Sequence, residues 1–192
     1  MNFTSNRGNI TSIEILSRAE ACKRYGELNA NDTLHAGDRE ENKLSGNNAP
    51  SIALISISDI GQKPAPFAEG INGIRHLLRL EFNDEEKPSV DAISKHDAER
   101  IAGFLMDCEK DSGTTSLVVH CGAGVSRSAG VAAAASLYLF GDDSWVFDNG
   151  SKCPNMTCYR SVLDELFIDL SDDEVNDRLR RNIEVWRNAS DM

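Results

Sequence analysis

No apolar run in the 192-residue chain approaches the roughly 20 residues that a membrane-crossing helix needs. The segment Met1–Asn9 lacks the apolar core of a secretory signal. Cysteine is sparse and odd in number: five residues, scattered at 22, 108, 121, 153 and 158, do not make a disulfide framework. The expectation is a cytoplasmic chain in a reducing setting, with no membrane partner. Positive charge is also short. Lys and Arg number 20 against 31 Asp and Glu, a net charge of −11. Nucleic-acid affinity is largely neutralisation of phosphates by Lys and Arg, so no nucleic-acid partner is expected. One localised basic pocket stays compatible with that balance. No internal repeat or low-complexity tract interrupts the chain. Asn-x-Ser/Thr matches at Asn2, Asn9, Asn31, Asn149, Asn155 and Asn188 carry little weight without a secretory signal.

What is present describes an ordinary soluble protein, 40% hydrophobic and 27% charged. The length fits one domain over 1–192. Ser17-Arg-Ala-Glu20, Ser94-Lys-His-Asp97 and Ser171-Asp-Asp-Glu174 each pair a serine with an acid three residues later, the signature of a helix start. Apolar residues follow at helical spacing, as in Ala98, Ile101, Ala102 and Leu105, which predicts helices near 17–28, 94–109 and 171–188. Ile13–Ile15, Ile52–Ile57, Ile74–Phe82 and Leu117–His120 are short apolar, β-branched runs suited to buried strands. Alternating strands and helices predict an α/β fold, a mainly parallel central sheet flanked by helices. Leu28–Pro50, rich in Asn, Asp, Gly and Glu, is expected to be a polar surface insertion or a functional flap.

The chemistry concentrates in Ser116–Gly130. A buried strand runs into a glycine-containing loop, and the loop runs into the small-residue helix Ser128–Phe140. A tight loop at a helix N-terminus aims backbone N–H groups at one point, where the helix dipole adds positive potential. Gly122 and Gly124 are expected to take positive φ and let the backbone approach a ligand. Arg127 can fold its planar fork over the same point for bidentate contact with a phosphate. The loop Gly122, Ala123, Gly124, Val125 and Ser126 thus becomes an oxyanion cradle with Cys121 at its floor. A free thiol has a pKa of about 8.5, and helix N-termini or adjacent cations lower it to about 3.5–7.5 in reactive sites. Cys121 is therefore expected to be a nucleophile. His120 can orient the loop through backbone carbonyls, and the Ser128 hydroxyl can hydrogen-bond the sulfur. By composition, a His directly before a Cys with an Arg six residues after it arises in on the order of one such chain in a hundred.

His120-Cys121-x5-Arg127-Ser128 resembles the active-site signature of the cysteine-dependent protein tyrosine phosphatases, the dual-specificity branch in particular. The resemblance runs from about Ile52 to Leu166 and includes Pro154-Asn155 followed by an apolar helix from Tyr159 to Leu166. Leu80-Glu-Phe-Asn-Asp84 is similar to a Phe-x-Asp strand end in compact bacterial phosphatase-like proteins. The resemblance implies a phosphatase-like fold and two-step phosphomonoester hydrolysis through a cysteinyl phosphate. It implies no cofactor and no metal, and a substrate that is a phosphorylated protein or a small phosphomonoester. That chemistry needs a general acid, worth about 10²–10⁴-fold. Sites in parallel sheets form outside the carboxyl ends of strands. Asp84 follows one such end as Cys121 follows another, which makes Asp84 the candidate, with Glu85 and Asp91 as alternatives on the same connection. Asn155 is expected to brace the phosphate loop; without the resemblance it is a turn residue after Pro154.

Other features point elsewhere or nowhere. Cys153-x4-Cys158 has no second Cys/His pair nearby, so no metal site is expected. His35, His76 and His96 are isolated. Trp145 and Phe147 sit in a polar stretch that is expected to be a loop capping the core. Loop residues 122–126 carry no Lys or Arg, which disfavours a multiply phosphorylated inositol headgroup. A phosphate-binding module of the same fold without turnover is the alternative function. Sulfur transfer and arsenate reduction are disfavoured because Cys153 and Cys158 lie past the helix with no evident route to Cys121.

Overall fold

In the computed structural model, which describes residues 8–26 and 51–190, the three serine–acid pairs all start helices. The Ser17 hydroxyl accepts the Glu20 N–H while the Glu20 carboxylate accepts the Ser17 N–H at 2.8 Å. Ser94 with Asp97, and Ser171 with Glu174, make the same reciprocal pair. Each exchange satisfies two N–H groups that a helix start otherwise leaves without partners. The helices are α1 (Arg18–Tyr25), α2 (Lys95–Lys110) and α6 (Asp172–Ser190); between α2 and α6 come α3 (Arg127–Phe140), α4 (Ser144–Phe147) and α5 (Met156–Glu165).

Strands β1 (Ser12–Ser17), β2 (Ile52–Ser58), β3 (Ile74–Glu81) and β4 (Ser116–Cys121) form one sheet in the order β1-β4-β2-β3, with every neighbouring pair parallel. This is the α/β architecture that the alternating elements predict. Strand β2 is buried along its whole length, which explains a continuous apolar run rather than an alternating one. Each of Ile52, Leu54, Ile55 and Ile57 is no more than 1% exposed, so each contributes about 1.5–3 kcal/mol of burial free energy. Side chains alternate across the sheet. Ala53, Ile55 and Ile57 join Leu117, Val119 and Cys121 on the face covered by α2, α3 and α5. Ile52, Leu54, Leu16 and Val118 pack with Ala65 and Phe67 on the other. The consequence for function is direct. Cys121 faces α3, and His120 faces the opposite side.

Helix α3 is almost wholly buried, and its small residues let a neighbour come close. A Cβ on Gly130 would lie 2.4 Å from the Asn155 carbonyl oxygen. Only a glycine at 130 therefore lets the start of α5 rest on α3 and carry Asn155 to the loop.

Several boundaries differ from expectation. Helix α5 begins at Met156 rather than Tyr159, because the Asn155 side chain accepts the Cys158 N–H and caps it. The stretch around Trp145 and Phe147 is a helical turn, not a loop; Asp142 holds the Ser144 N–H and starts it. Phe147 is fully buried, edge-on to Tyr159 at 5.4 Å, whereas Trp145 stays partly exposed and donates its indole N–H to Ser136. The polar insertion expected at 28–50 lies outside the described residues. Among those described, no helix is long and apolar enough to cross a membrane.

Candidate active site

Strand β4 ends at Cys121, α3 begins at Arg127, and residues 122–126 form the loop between them. The loop is gripped from outside by its carbonyl oxygens. The Arg18 N–H bonds Gly122 O (3.0 Å), Lys152 Nζ bonds Gly124 O (2.6 Å), the Cys153 N–H bonds Val125 O (3.0 Å), and the Asn155 N–H bonds Ser126 O (3.2 Å). In a trans peptide the next residue's N–H points opposite to the carbonyl. The N–H groups of Ala123, Val125, Ser126 and Arg127 therefore point away from those outer partners, as an anion cradle requires. Gly124 takes φ +72°, and a Cβ there would lie 2.5 Å from the backbone of Leu16 and Ser17, so glycine is required twice over. Gly122 does not: its φ is not in the left-handed region, and a Cβ would meet only Arg127 Nη2 at 3.6 Å. The expectation of positive φ at Gly122 is corrected accordingly.

The Cys121 side chain is buried, with Sγ 3.1 Å from the Ser128 hydroxyl. Arg127 is 5% exposed. Its Nη1 donates to the Phe82 carbonyl at 2.6 Å, and its Nη2 pairs with Asp59 Oδ1 at 2.7 Å. Its Nε is buried without a hydrogen-bond partner. A buried N–H left unpaired costs about 1–3 kcal/mol, and among the described residues Arg127 Nε is the buried side-chain donor still able to take an acceptor.

His120 extends away from the sulfur. Its Nε2 lies 2.8 Å from Ser56 Oγ, its Nδ1 lies 3.3 Å from the Cys121 carbonyl oxygen, and its ring stands edge-on to Phe67. Burial, aided by nearby Arg18, Arg79 and Arg127, pushes its pKa down to about 4 against one bond to Cys121 that raises it. The ring is neutral at pH 7 and braces the strand end.

Asp84 meets the loop directly. Its Oδ1 accepts from both the Ser126 hydroxyl and Asn155 Nδ2, each at 2.8 Å. Ser126 thereby spends its hydroxyl on Asp84 and makes no side-chain cap to α3, leaving the helix start open toward the cradle. Asn155 also donates to the Glu85 carbonyl at 3.0 Å, so one amide ties loop, α5 and acidic segment together. Asp91 reaches the region through its carbonyl oxygen, which accepts the Asn83 N–H. Among the described residues no hydrogen bond joins the Glu85 or Asp91 carboxylate to the loop. The structure brings together Cys121, residues 122–126, Arg127, Ser128, Asn155 and Asp84, and sets His120 behind them.

Two further cysteines border this region. Cys153 bonds the loop through its backbone, and Cys158 packs against α3 at Gly130. Burial pushes the Cys158 thiol far above its usual range, and burial with Glu86 and Asp84 raises Cys153. Both are held as thiols, which makes them poor partners for resolving an adduct.

Asp59, Ser56 and Lys152 escaped the sequence reading. Asp59 had a usable signal: it follows the apolar run of β2 as Asp84 follows that of β3. Lys152 and Ser56 had none: Ser56 meets His120 through the pairing of β2 with β4, and Lys152 meets Gly124 through the return of the segment between α4 and α5.

No family model matches the chain, and no curated protein matches it. Solved structures similar to it include human DUSP28, at 15% identity over 92% of this chain and 94% of that one, with a TM-score of 0.38. A variant of human DUSP28 is similar at 16% identity over 73% and 80% of the two chains, with a TM-score of 0.35.

Proposed function

We propose that the protein is a phosphomonoester hydrolase of the protein tyrosine or dual-specificity type, acting through a cysteinyl phosphate. The observation that carries this reading is the unpartnered, buried Arg127 Nε at the end of a loop that starts from Cys121 and turns its carbonyls to outer partners. A tetrahedral dianion fits that set of donors. The Cys121 thiolate attacks phosphorus in line, and the loop N–H groups with Arg127 hold the equatorial oxygens as charge builds on them. The bond from phosphorus to the ester oxygen breaks, and Asp84 gives its proton to that oxygen as it leaves. Water then attacks the cysteinyl phosphate with Asp84 taking the proton, and the sulfur departs with the Ser128 hydroxyl as hydrogen-bond donor. Asn155 and Ser126 hold Asp84 at the rim throughout. The substrate is a phosphorylated protein or a small phosphomonoester. Hydrolysis of p-nitrophenyl phosphate tests the reading: turnover should fall by about 10⁴-fold or more in Cys121→Ser. Wild-type protein that binds phosphate yet turns over no faster than that variant would be a binding module instead.

A further inference from the structure

We infer that Asp59 is a positioning residue for Arg127, fixing the guanidinium so that its Nε faces the anion. The inference rests on the phosphatase reading for its kinetic part alone. A guanidinium at the end of a flexible side chain has a defined plane only if two of its nitrogens are tied. Here Nη1 is tied to the end of β3 through the Phe82 carbonyl, and Nη2 to the end of β2 through Asp59. With those two bonds made, the direction of Nε–H is set. The Asp59 bond lies on Nη2, the nitrogen that lies toward Gly122, and leaves Nε without an acceptor.

Asp59 is itself held by a strap between two strand ends. The Gln62 N–H bonds the Asp59 carbonyl (3.0 Å), and the Asp59 N–H faces Gln62 Oε1 (3.4 Å). The Ile60 N–H bonds Asn83 Oδ1 (3.2 Å), and the Gly61 N–H bonds Glu81 Oε1 (2.6 Å). The segment that orients Arg127 is thus bonded to Asn83, the residue before Asp84. Arg18 adds a third side, reaching Ser58 and Gln62 at 3.2 Å each while its own N–H holds the Gly122 carbonyl. The Asp59 side chain is 49% exposed against 6% for Arg127, so the acid keeps part of its hydration while the buried guanidinium depends on it for a partner. Its effect lies in geometry: removal leaves a second nitrogen of a buried guanidinium unsatisfied and free to turn about its remaining anchor.

The test compares Asp59→Ala with Asp59→Asn, whose amide oxygen accepts the same bond. Phosphate and tungstate binding are measured by calorimetry in a Cys121→Ser background, and kcat and KM are measured on two aryl phosphates with good and poor leaving groups. Asp59→Ala should weaken oxyanion binding and lower kcat/KM, each by about 10- to 100-fold, by a similar factor on both substrates. Asp59→Asn should restore both to within about threefold. Melting temperature is followed throughout, and Asp59→Ser serves if the alanine variant does not fold. Unchanged or tighter oxyanion binding in Asp59→Ala overturns the inference. So does an Asn variant as damaged as Ala with a loss that grows with leaving-group pKa, because Asp59 would then be the proton donor. The binding arm stands even if wild-type protein shows no turnover, so the inference can fail or survive separately from the phosphatase reading.

Discussion

The two ends of the sheet each gather a charged cluster, and they are built on opposite terms. At the amino end, the Asp111 carboxylate accepts from Arg75, His76, the Gly113 N–H and Thr114, joining the end of α2 to the start of β3. Those bonds hold its carboxyl far below the usual range, with Arg75 the main cause. At the carboxyl end Arg127 has two anchors and one buried N–H with no acceptor. One cluster is complete in the free protein. The other keeps a buried donor, Arg127 Nε, without an acceptor. Unsatisfied buried polarity costs stability, so it persists where binding or catalysis uses it.

Substitution at the two ends should therefore separate stability from activity. Arg127→Met should lower kcat on p-nitrophenyl phosphate by about 10²–10³-fold or more. Its melting temperature should fall only modestly, because loss of the unpartnered N–H offsets the bonds withdrawn from the Phe82 carbonyl and Asp59; a large fall would contradict the comparison. Asp84→Asn should reduce kcat by about 10²-fold on a substrate with a poor leaving group and much less on one that leaves easily. A uniform loss on both would move the proton donor elsewhere.

Smaller effects sharpen the picture behind the loop. His120 stays neutral in the fold down to about pH 4, while the unfolded chain takes up its proton near 6.5. Stability should accordingly be lost as pH falls from about 6.5 toward 4, by up to about 3 kcal/mol. His120→Asn should flatten that dependence in urea titrations run across the range. Gly124→Ala should destabilise by about 1–3 kcal/mol, from positive φ and the approach of Leu16 and Ser17, and should weaken phosphate binding in the same preparation. Asp111→Ala should lower the melting temperature and leave kcat/KM alone; a change in turnover there would mean that the two ends are coupled.

Much of the fold was legible because its signals are local. A serine hydroxyl and an acid three residues on find each other within one helical turn, so Ser17, Ser94 and Ser171 needed no tertiary information. The apolar runs of β2 and β4 read as strands because burial on both faces leaves no alternation to misread. The loop from Cys121 to Arg127 was legible for the same reason, since strand, glycine turn and helix start are contiguous. Asp59 was less so. It lies 68 positions from Arg127, and only the placement of β2 between β4 and β3 brings them to 2.7 Å. The packing of Cys158 against α3 was hidden by Gly130, whose missing Cβ lets α5 rest on that helix.

The order of amino acids alone determined where the helices begin, which segments are strands, and that a thiol, a glycine turn and an arginine share one strand-to-helix junction, because such features depend on neighbours along the chain. The tertiary structure decided which way the arginine faces, which carboxylates reach it and the loop, and which donor is left over. Those outcomes depend on strand order and on how closely α5 packs against α3, and they are settled only when distant segments compete for the same buried hydrogen bonds.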